Sequence, residues 1–358
     1  MTFERPNIAA MQGYTPGEQP AGDKAIKLNT NENPYPPAPA VAEALAAARS
    51  EDLRRYPPPT ASEFRQAAAT LHELSVDNIL PTNGGDELLR LVLTTFVDPH
   101  ETVVVAEPSY SLYPVLTAIQ GCQLKRVPLQ EGWNLPANFS QQIQGAKLCI
   151  LVNPHAPSGH LMDAEVLRKV ARSFDGILLI DEAYVDFIDP DKGYDSLPLV
   201  RELDNVIILR TLSKGYSLAG LRFGYGIGSP NLIAPMLTKT RDSYNTDLLS
   251  QRLATAALQS VDHARLGWDR VRASRKKLTA ELEQLGLPCE PSQSNFVLCQ
   301  VPHNPGARDV YQALKERGIL VRWFDLDGLR DRLRISIGSE EENSALIDAI
   351  REILSSTS

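Results

Sequence analysis

The chain has 358 residues, a net charge of −8, 43% hydrophobic and 22% charged residues, and four cysteines. That length buries a large core and predicts one large and one small domain. The acidic balance, with no basic block, argues against nucleic acid as the main partner and favours a soluble cytoplasmic protein, while a local basic pocket stays compatible with it. No apolar run is long enough to span a membrane, and the N-terminus lacks a signal-like apolar region. Cys122, Cys149, Cys289 and Cys299 show no C-x-x-C pairing. Cys149 and Cys299 lie in apolar strand-like runs and read as core thiols, in a reducing compartment.

Residues 1–40 are rich in proline, glycine and asparagine and read as an extended arm. Helices are predicted at about 39–50 and 60–74, separated by the stiff turn Arg55-Tyr-Pro-Pro-Pro59. Helices and strands then alternate. Asn83-Gly-Gly-Asp-Glu87 opens a helix to about Phe96. Thr102–Ala106 is a strand, Ser109–Gln120 a helix, and Gln123–Val127 and Lys147–Val152 are strands. Asp163–Phe174 is a helix; Gly176–Ile180, Val206–Leu209 and Phe223–Ile227 are short apolar strands. Such alternation predicts a doubly wound α/β sheet covered on both faces. Long helical patterns follow from about 230 to 285. Beyond them, strands at Asn295–Val301, Gly318–Arg322 and Leu333–Ile337 interleave with helices at about 306–317 and 339–354, as in a smaller α+β domain. The expected division is an arm, 1–35, a large α/β domain, 36–265, and a small α+β domain, 266–358.

Several stretches carry chemistry. Asn83-Gly84-Gly85-Asp86 precedes a helix, so its backbone can approach an anion at the helix N-terminus, although Asn-Gly-Gly is also a common plain turn. Pro108-Ser-Tyr-Ser-Leu-Tyr113 offers Tyr110 to a planar ring or, equally, to a core. Asn153-Pro-His-Ala-Pro-Ser-Gly159 ends a strand and presents His155 or Ser158 to a ligand, or serves as a rigid loop. Ile180-Asp181-Glu182-Ala183-Tyr184 ends another strand, where open α/β sheets place ligands. A buried Asp181 needs a cation, and a protonated pyridinium is one. Tyr184 is placed to hydrogen-bond a ring oxygen. Thr211-Leu-Ser-Lys-Gly-Tyr-Ser-Leu-Ala-Gly-Leu-Arg222 follows a buried strand. Its hydroxyls at Thr211 and Ser213 and its Arg222 suit a phosphate, while a shielded Lys214 can attack a carbonyl. Together they suggest pyridoxal phosphate; a solvated surface turn is the competing reading. Arg322 closes the apolar strand Ile319–Val321, and Arg334 shares one face of its strand with Ser336. Both suit an anionic substrate, or separate surface ion pairs. No H-E-x-x-H, paired-cysteine or G-x-x-x-x-G-K motif supports a metal or P-loop site. Gly224-Tyr-Gly-Ile-Gly228 has the wrong spacing for a dinucleotide fingerprint.

In this order the motifs resemble the fold-type I pyridoxal-phosphate aminotransferases, and within them the histidinol-phosphate aminotransferases. The resemblance is carried by Leu28-Asn-Thr-Asn-Glu-Asn-Pro-Tyr35, Arg55-Tyr-Pro57, Thr82-Asn-Gly-Gly-Asp-Glu87, Asp181-Glu-Ala-Tyr184, Thr211-Leu-Ser-Lys214 with Gly220-Leu-Arg222, Ser294-Asn-Phe296 and Leu333-Arg-Ile-Ser-Ile-Gly338. It implies a mixed, mostly parallel sheet covered by helices, with a smaller α+β domain. It implies that Lys214 forms a Schiff base with the cofactor aldehyde and shuttles the proton. Asp181 would pair with the pyridine nitrogen, Tyr184 would meet the ring oxygen and Tyr110 would stack on the ring. Gly84, Gly85, Asp86, Thr211, Ser213 and Arg222 would hold the phosphate, with Tyr56 reaching it across a homodimer interface. Arg322 and Arg334, with Tyr14 and Asn33 nearby, would bind substrate. One departure stands out: the family usually has Asn-Asn-Pro-Thr-Gly where this chain has His155-Ala-Pro-Ser-Gly159, so the asparagine that meets the ring oxygen is Ala156 here. Tyr184 alone, His155 or a water would have to substitute.

The implied activity is cytoplasmic transamination of L-histidinol phosphate with 2-oxoglutarate in histidine biosynthesis. An aromatic amino-acid aminotransferase and a lyase such as threonine-phosphate decarboxylase share the same machinery. A non-catalytic regulator on the same fold is disfavoured by the intact lysine and aspartate and the lack of a DNA-binding extension.

Overall fold

The computed structural model describes residues 3–19 and 25–356; the expected arm, 1–35, therefore falls in part outside the described residues. Among the described residues twelve strands form three sheets: β1 Ile26–Lys27, β2 Ile79–Thr82, β3 Thr102–Glu107, β4 Gln123–Pro128, β5 Leu148–Val152, β6 Ile177–Asp181, β7 Val206–Thr211, β8 Gly224–Gly228, β9 Phe296–Gln300, β10 Ile319–Leu320, β11 Arg322–Trp323 and β12 Arg332–Ser336.

The large sheet has seven strands in the order β2-β8-β7-β6-β5-β3-β4. Its pairings from β7 to β4 are all parallel, while β8 runs antiparallel to both neighbours. The central strands are apolar up to their carboxyl ends, where Asp181, Arg210 and Thr211 stand, and their alternation splits one hydrophobic run into two cores. Val104, Cys149, Leu151, Leu178, Ile180, Val206 and Ile208 face one core, packed with Phe64, Leu167 and Leu253. Val103, Val105, Leu148, Ile150, Leu179, Ile207 and Leu209 face the other, packed with Leu88, Val92 and Leu116. A period of two on a sheet covered on both faces dictates that split. Each fully buried aliphatic side chain contributes about 1.5–3 kcal/mol.

The edge strand β2 has no counterpart in the sequence reading. It contains Pro81, and proline is tolerated at a sheet edge because no ladder donor is needed there. The glycines of β8 let a helix settle on the sheet. A Cβ at Gly224 would lie 2.9 Å from the Gly84 carbonyl carbon, and one at Gly226 would lie 2.8 Å from Leu88 Cδ1. The N-terminus of helix Gly84–Phe96 thus presses close to the strand ends.

The smaller sheet, β11-β12-β9, is antiparallel. Its core gathers Val297, Cys299, Leu333 and Ile335 with Val310, Leu314, Leu346 and Ile350. The strand expected at Gly318–Arg322 is divided. Ile319 and Leu320 pair with Ile26 and Lys27 of the arm, whereas Arg322 and Trp323 pair with Arg334 and Leu333. Arg322 therefore opens a strand rather than closing one. Helix Val261–Gln284 bridges the two bodies: Val261 and Ala264 pack on the large core, Val271 and Leu278 in the small one. Leu28 of the arm is buried in the small core as well. Among the described residues no helix is long and apolar enough to cross a membrane, and no cluster of histidine, cysteine and carboxylate side chains has the makings of a metal site.

Candidate active site

The carboxyl ends of β5, β6 and β7 open into a cavity of about 480 Å³, closed from the opposite side by the arm and by β11 and β12. Lys214, three residues after β7, lines it. Its Nζ donates to the Thr30 carbonyl at 2.8 Å. Burial, aided by the Arg334 guanidinium, lowers the amine from 10.5 to about 8.

Asp181 ends β6 and is 6% exposed. The Tyr113 hydroxyl donates to its Oδ2 at 2.7 Å and the Ala183 N–H to its Oδ1 at 3.1 Å. Burial raises this carboxyl from 3.8 to about 6. Among the described residues no cation pairs with it, although it faces the cavity. A buried carboxylate without a counter-charge is costly unless a ligand brings one.

A cradle for an anion lies at the other end of the cavity. Helix Gly84–Phe96 begins there with no side-chain cap from Asn83, and Gly85 and Asp86 line the cavity beside its first-turn N–H groups. Gly84 has φ +73°, and a Cβ on it would fall 2.7 Å from Arg222 Nη2. Arg222 Nη1 donates to Ser213 Oγ at 3.3 Å, and Nη2 stands 3.5 Å from Asp86 Oδ2. The Thr211 hydroxyl donates to Ser213 Oγ at 3.0 Å. Hydroxyls, a guanidinium and the first-turn amides converge there, and the carboxylate paired with the guanidinium, Asp86, is half exposed. Tyr110 lines the cavity beside Asp86, with Tyr14 edge-on at 5.7 Å between ring centroids.

On the small-domain side, Arg322 and Arg334 are register partners across β11 and β12, and both line the cavity. Like charges set opposite each other are destabilising. Among the described residues neither has an ion-pair partner. Arg334 lies between the rings of Phe296 and Phe324, at 5.3 and 5.5 Å, and its Nη2 donates to the Asn29 carbonyl. Two guanidiniums held together without a counter-ion form a site for an anion.

Two expectations need correction. His155 and Ser158 do not face the cavity. His155 Nε2 donates to the Pro108 carbonyl and its Nδ1 accepts from the Ser158 hydroxyl, each at 2.7 Å. A carbonyl only accepts, so Nε2 carries a proton; burial, which lowers this imidazole to about 4, leaves Nδ1 bare near neutral pH, where it accepts from Ser158. Asn33 does not line the cavity either. Its Nδ2 donates to the Lys214 and Gly215 carbonyls at 3.2 and 3.4 Å, behind the lysine. Tyr56, expected to act across a subunit interface, is 80% exposed and stacks on Tyr244 at 4.4 Å, away from the cavity of its own chain.

The lock on His155 has a pH consequence. Burial lowers this imidazole from 6.5 to about 4. The unfolded chain therefore binds a proton in a window where the folded one does not, and stability drops as pH falls from about 6.5 to about 4. Replacing His155 with glutamine is expected to flatten that part of the acid limb, read as melting temperature against pH. An unchanged slope would contradict the neutral assignment.

Sequence reasoning overlooked Asn29, Thr30 and Asn31 as individual site residues, and Tyr113 as the donor to Asp181. The asparagine-rich run of the arm was the available signal.

Residues 23–350 match the family described as aminotransferase class I and II. The chain is 43% identical over 353 residues to histidinol-phosphate aminotransferase 1 of Trichormus variabilis, covering 98% of this chain and 99% of that one. It is 44% identical over 350 residues to the histidinol-phosphate aminotransferase of Geotalea uraniireducens, with 98% and 99% covered. Among solved structures, that of histidinol-phosphate aminotransferase from Sinorhizobium meliloti in complex with pyridoxal-5'-phosphate superposes with a TM-score of 0.91 at 26% identity, covering 100% of this chain and 99% of the other.

Proposed function

The chain belongs to the class I and II aminotransferases, and from that premise we propose that it transfers the amino group of L-histidinol phosphate to 2-oxoglutarate, giving imidazole acetol phosphate and L-glutamate, in histidine biosynthesis. The observation that carries this reading is one cavity holding a buried, half-neutral lysine, a buried carboxylate without a cation and two unpaired guanidiniums.

The residues fit pyridoxal 5'-phosphate. Asp181 would meet its ring nitrogen, Tyr184 its ring oxygen and Tyr110 its face. The backbone N–H groups at Gly84, Gly85 and Asp86, with Thr211, Ser213 and Arg222, would hold its phosphate. When bound, the cofactor supplies an aldehyde that takes up the amino group and a ring that draws electrons from the substrate Cα.

The chain's own groups do the rest. Lys214 Nζ is nucleophilic because burial keeps part of it neutral, and the same atom takes the proton from Cα. Asp181 keeps the proton on the ring nitrogen. Arg322 and Arg334 bind the substrate phosphate in one half-reaction and carboxylates in the other, since the guanidinium fork suits both anions.

The active unit is taken as a homodimer, in which the exposed Tyr56 of one subunit reaches the partner's phosphate cradle. The division into arm, 1–35, large domain, 36–265, and small domain, 266–358, and the cytoplasmic location belong to the same proposal.

The visible spectrum of cofactor-loaded protein tests it. Histidinol phosphate without acceptor should bleach the yellow band, and 2-oxoglutarate should restore it. A band that ignores histidinol phosphate but responds to phenylalanine or threonine phosphate would overturn the substrate. Replacing Arg322 with alanine should raise the KM for histidinol phosphate roughly ten- to hundredfold, as the loss of a charge-assisted hydrogen bond implies. The cofactor band should be unchanged. Unaltered KM would remove Arg322 from the substrate site.

A further inference from the structure

Three consecutive arm residues reach three residues of the site. The Asn29 carbonyl accepts from Arg334 Nη2 at 2.8 Å and the Thr30 carbonyl from Lys214 Nζ at 2.8 Å; Asn31 Nδ2 donates to the Tyr184 hydroxyl oxygen at 3.0 Å. Only the last of these contacts uses an arm side chain.

Asn31 is itself held on every side. Its N–H donates to Ser336 Oγ at 2.8 Å, its Oδ1 accepts from the same hydroxyl at 3.0 Å, and its carbonyl accepts from Asn295 Nδ2 at 2.9 Å. It is 2% exposed, with φ +57°, a left-handed conformation that asparagine tolerates. The amide orientation follows from these partners. Ser336 sends its one proton to Oδ1, which leaves Nδ2 facing Tyr184. An amide nitrogen only donates, so the Tyr184 oxygen accepts, and its own proton is free to be given to the cavity.

The surroundings of Tyr184 offer no substitute. It packs with Val152, Ala156 and Phe296 in a small apolar cluster. Ala156 presents a methyl group there, and His155 is turned away and bound to the Pro108 carbonyl. Burial raises the Tyr184 hydroxyl above its usual range, so it keeps its proton near neutral pH.

We infer that Asn31 is a positioning residue that fixes the Tyr184 hydroxyl as the hydrogen-bond donor to the cofactor ring oxygen, a task the side chain at position 156 does not share. This rests on the pyridoxal-phosphate reading of the site.

The test is a pH titration of the visible band of cofactor-loaded protein, with cofactor affinity measured alongside. A hydroxyl donating to the ring oxygen lowers that oxygen's proton affinity, so weakening the contact moves the spectral transition to higher pH. Asn31→Gly keeps the left-handed backbone and its two backbone hydrogen bonds. It should shift the transition upward by roughly half a unit to one unit, the size of one hydrogen bond. Tyr184→Phe should shift it at least as far, and the double variant no further than Tyr184→Phe. Asn31→Asp keeps the side-chain size and should pull the Tyr184 proton away from the cavity. Its shift must shrink when Tyr184 is also phenylalanine. An unmoved transition in Asn31→Gly, or additive shifts in the double variant, would overturn the inference while leaving the cofactor site standing. A wild-type protein that takes up no cofactor would overturn the underlying reading and this inference with it.

Discussion

Replacing Lys214 with alanine is expected to lower kcat by roughly four orders of magnitude or more, because one amine does two jobs. It must attack a carbonyl, which needs the neutral form, and it must then carry a proton at the substrate Cα. Burial sets the amine at about 8, against the usual 10.5. Near pH 8 about half of it is neutral, whereas an ordinary lysine is neutral in only a few parts per thousand. Alanine supplies neither the nucleophile nor the carrier. The fold should survive. The lost contact is one hydrogen bond to the Thr30 carbonyl, and below pH 8 the variant no longer buries an ammonium that the unfolded chain would solvate. Ligand-free melting should therefore be no lower than in the wild type. A small external amine should restore part of the activity. Full activity without the lysine would refute the mechanism.

The sheet and most of the site were legible because their determinants are local. Apolar runs such as Leu148–Val152 and Ile177–Asp181 can only be buried strands, and Asp181 and Lys214 stand at or just past strand ends, where the chain must expose a ligand site. Gly84 and Gly85 announce a close approach before a helix. What escaped notice depends on partners far away in the chain. Lys214 meets Thr30 across 184 positions, and Tyr184 meets Asn31 across 153. The sequence leaves His155 facing a ligand or held in a rigid loop, and the Pro108 carbonyl, 47 positions away, decides for the loop. The short strand β1 and the proline-bearing β2 escaped because neither has a periodicity to detect, and the division of β10 from β11 is decided by the arm that pairs with only half of that run.

The Asp181→Asn variant should become more stable when ligand-free and nearly inactive when loaded. The folded carboxyl titrates at about 6 because it is buried, above the ordinary 3.8. Between those values the folded protein holds a proton that the unfolded chain has released, so ligand-free stability falls as pH rises from about 4 to about 6. Above pH 6 the wild type carries the full cost of an ionised, unpaired carboxylate, on the order of 3 kcal/mol. Asparagine never ionises. It fits the same two contacts: its oxygen accepts from the Ala183 N–H, and its amide donates to the Tyr113 hydroxyl, which can reverse its role. The variant should melt higher than the wild type above pH 6, and the gap should close toward pH 4. With cofactor the order inverts, because only the wild type gains a pairing with a protonated ring nitrogen. Cofactor should raise the melting temperature of the wild type more than that of the variant, and kcat should fall roughly 10²- to 10³-fold in the variant. Equal ligand-free melting curves across this pH range would contradict the ionised, unpaired state. Retained activity would contradict the partner. A carboxylate that weakens the empty protein is explained by the cation it awaits, and the two measurements separate the cost of keeping it from the use made of it.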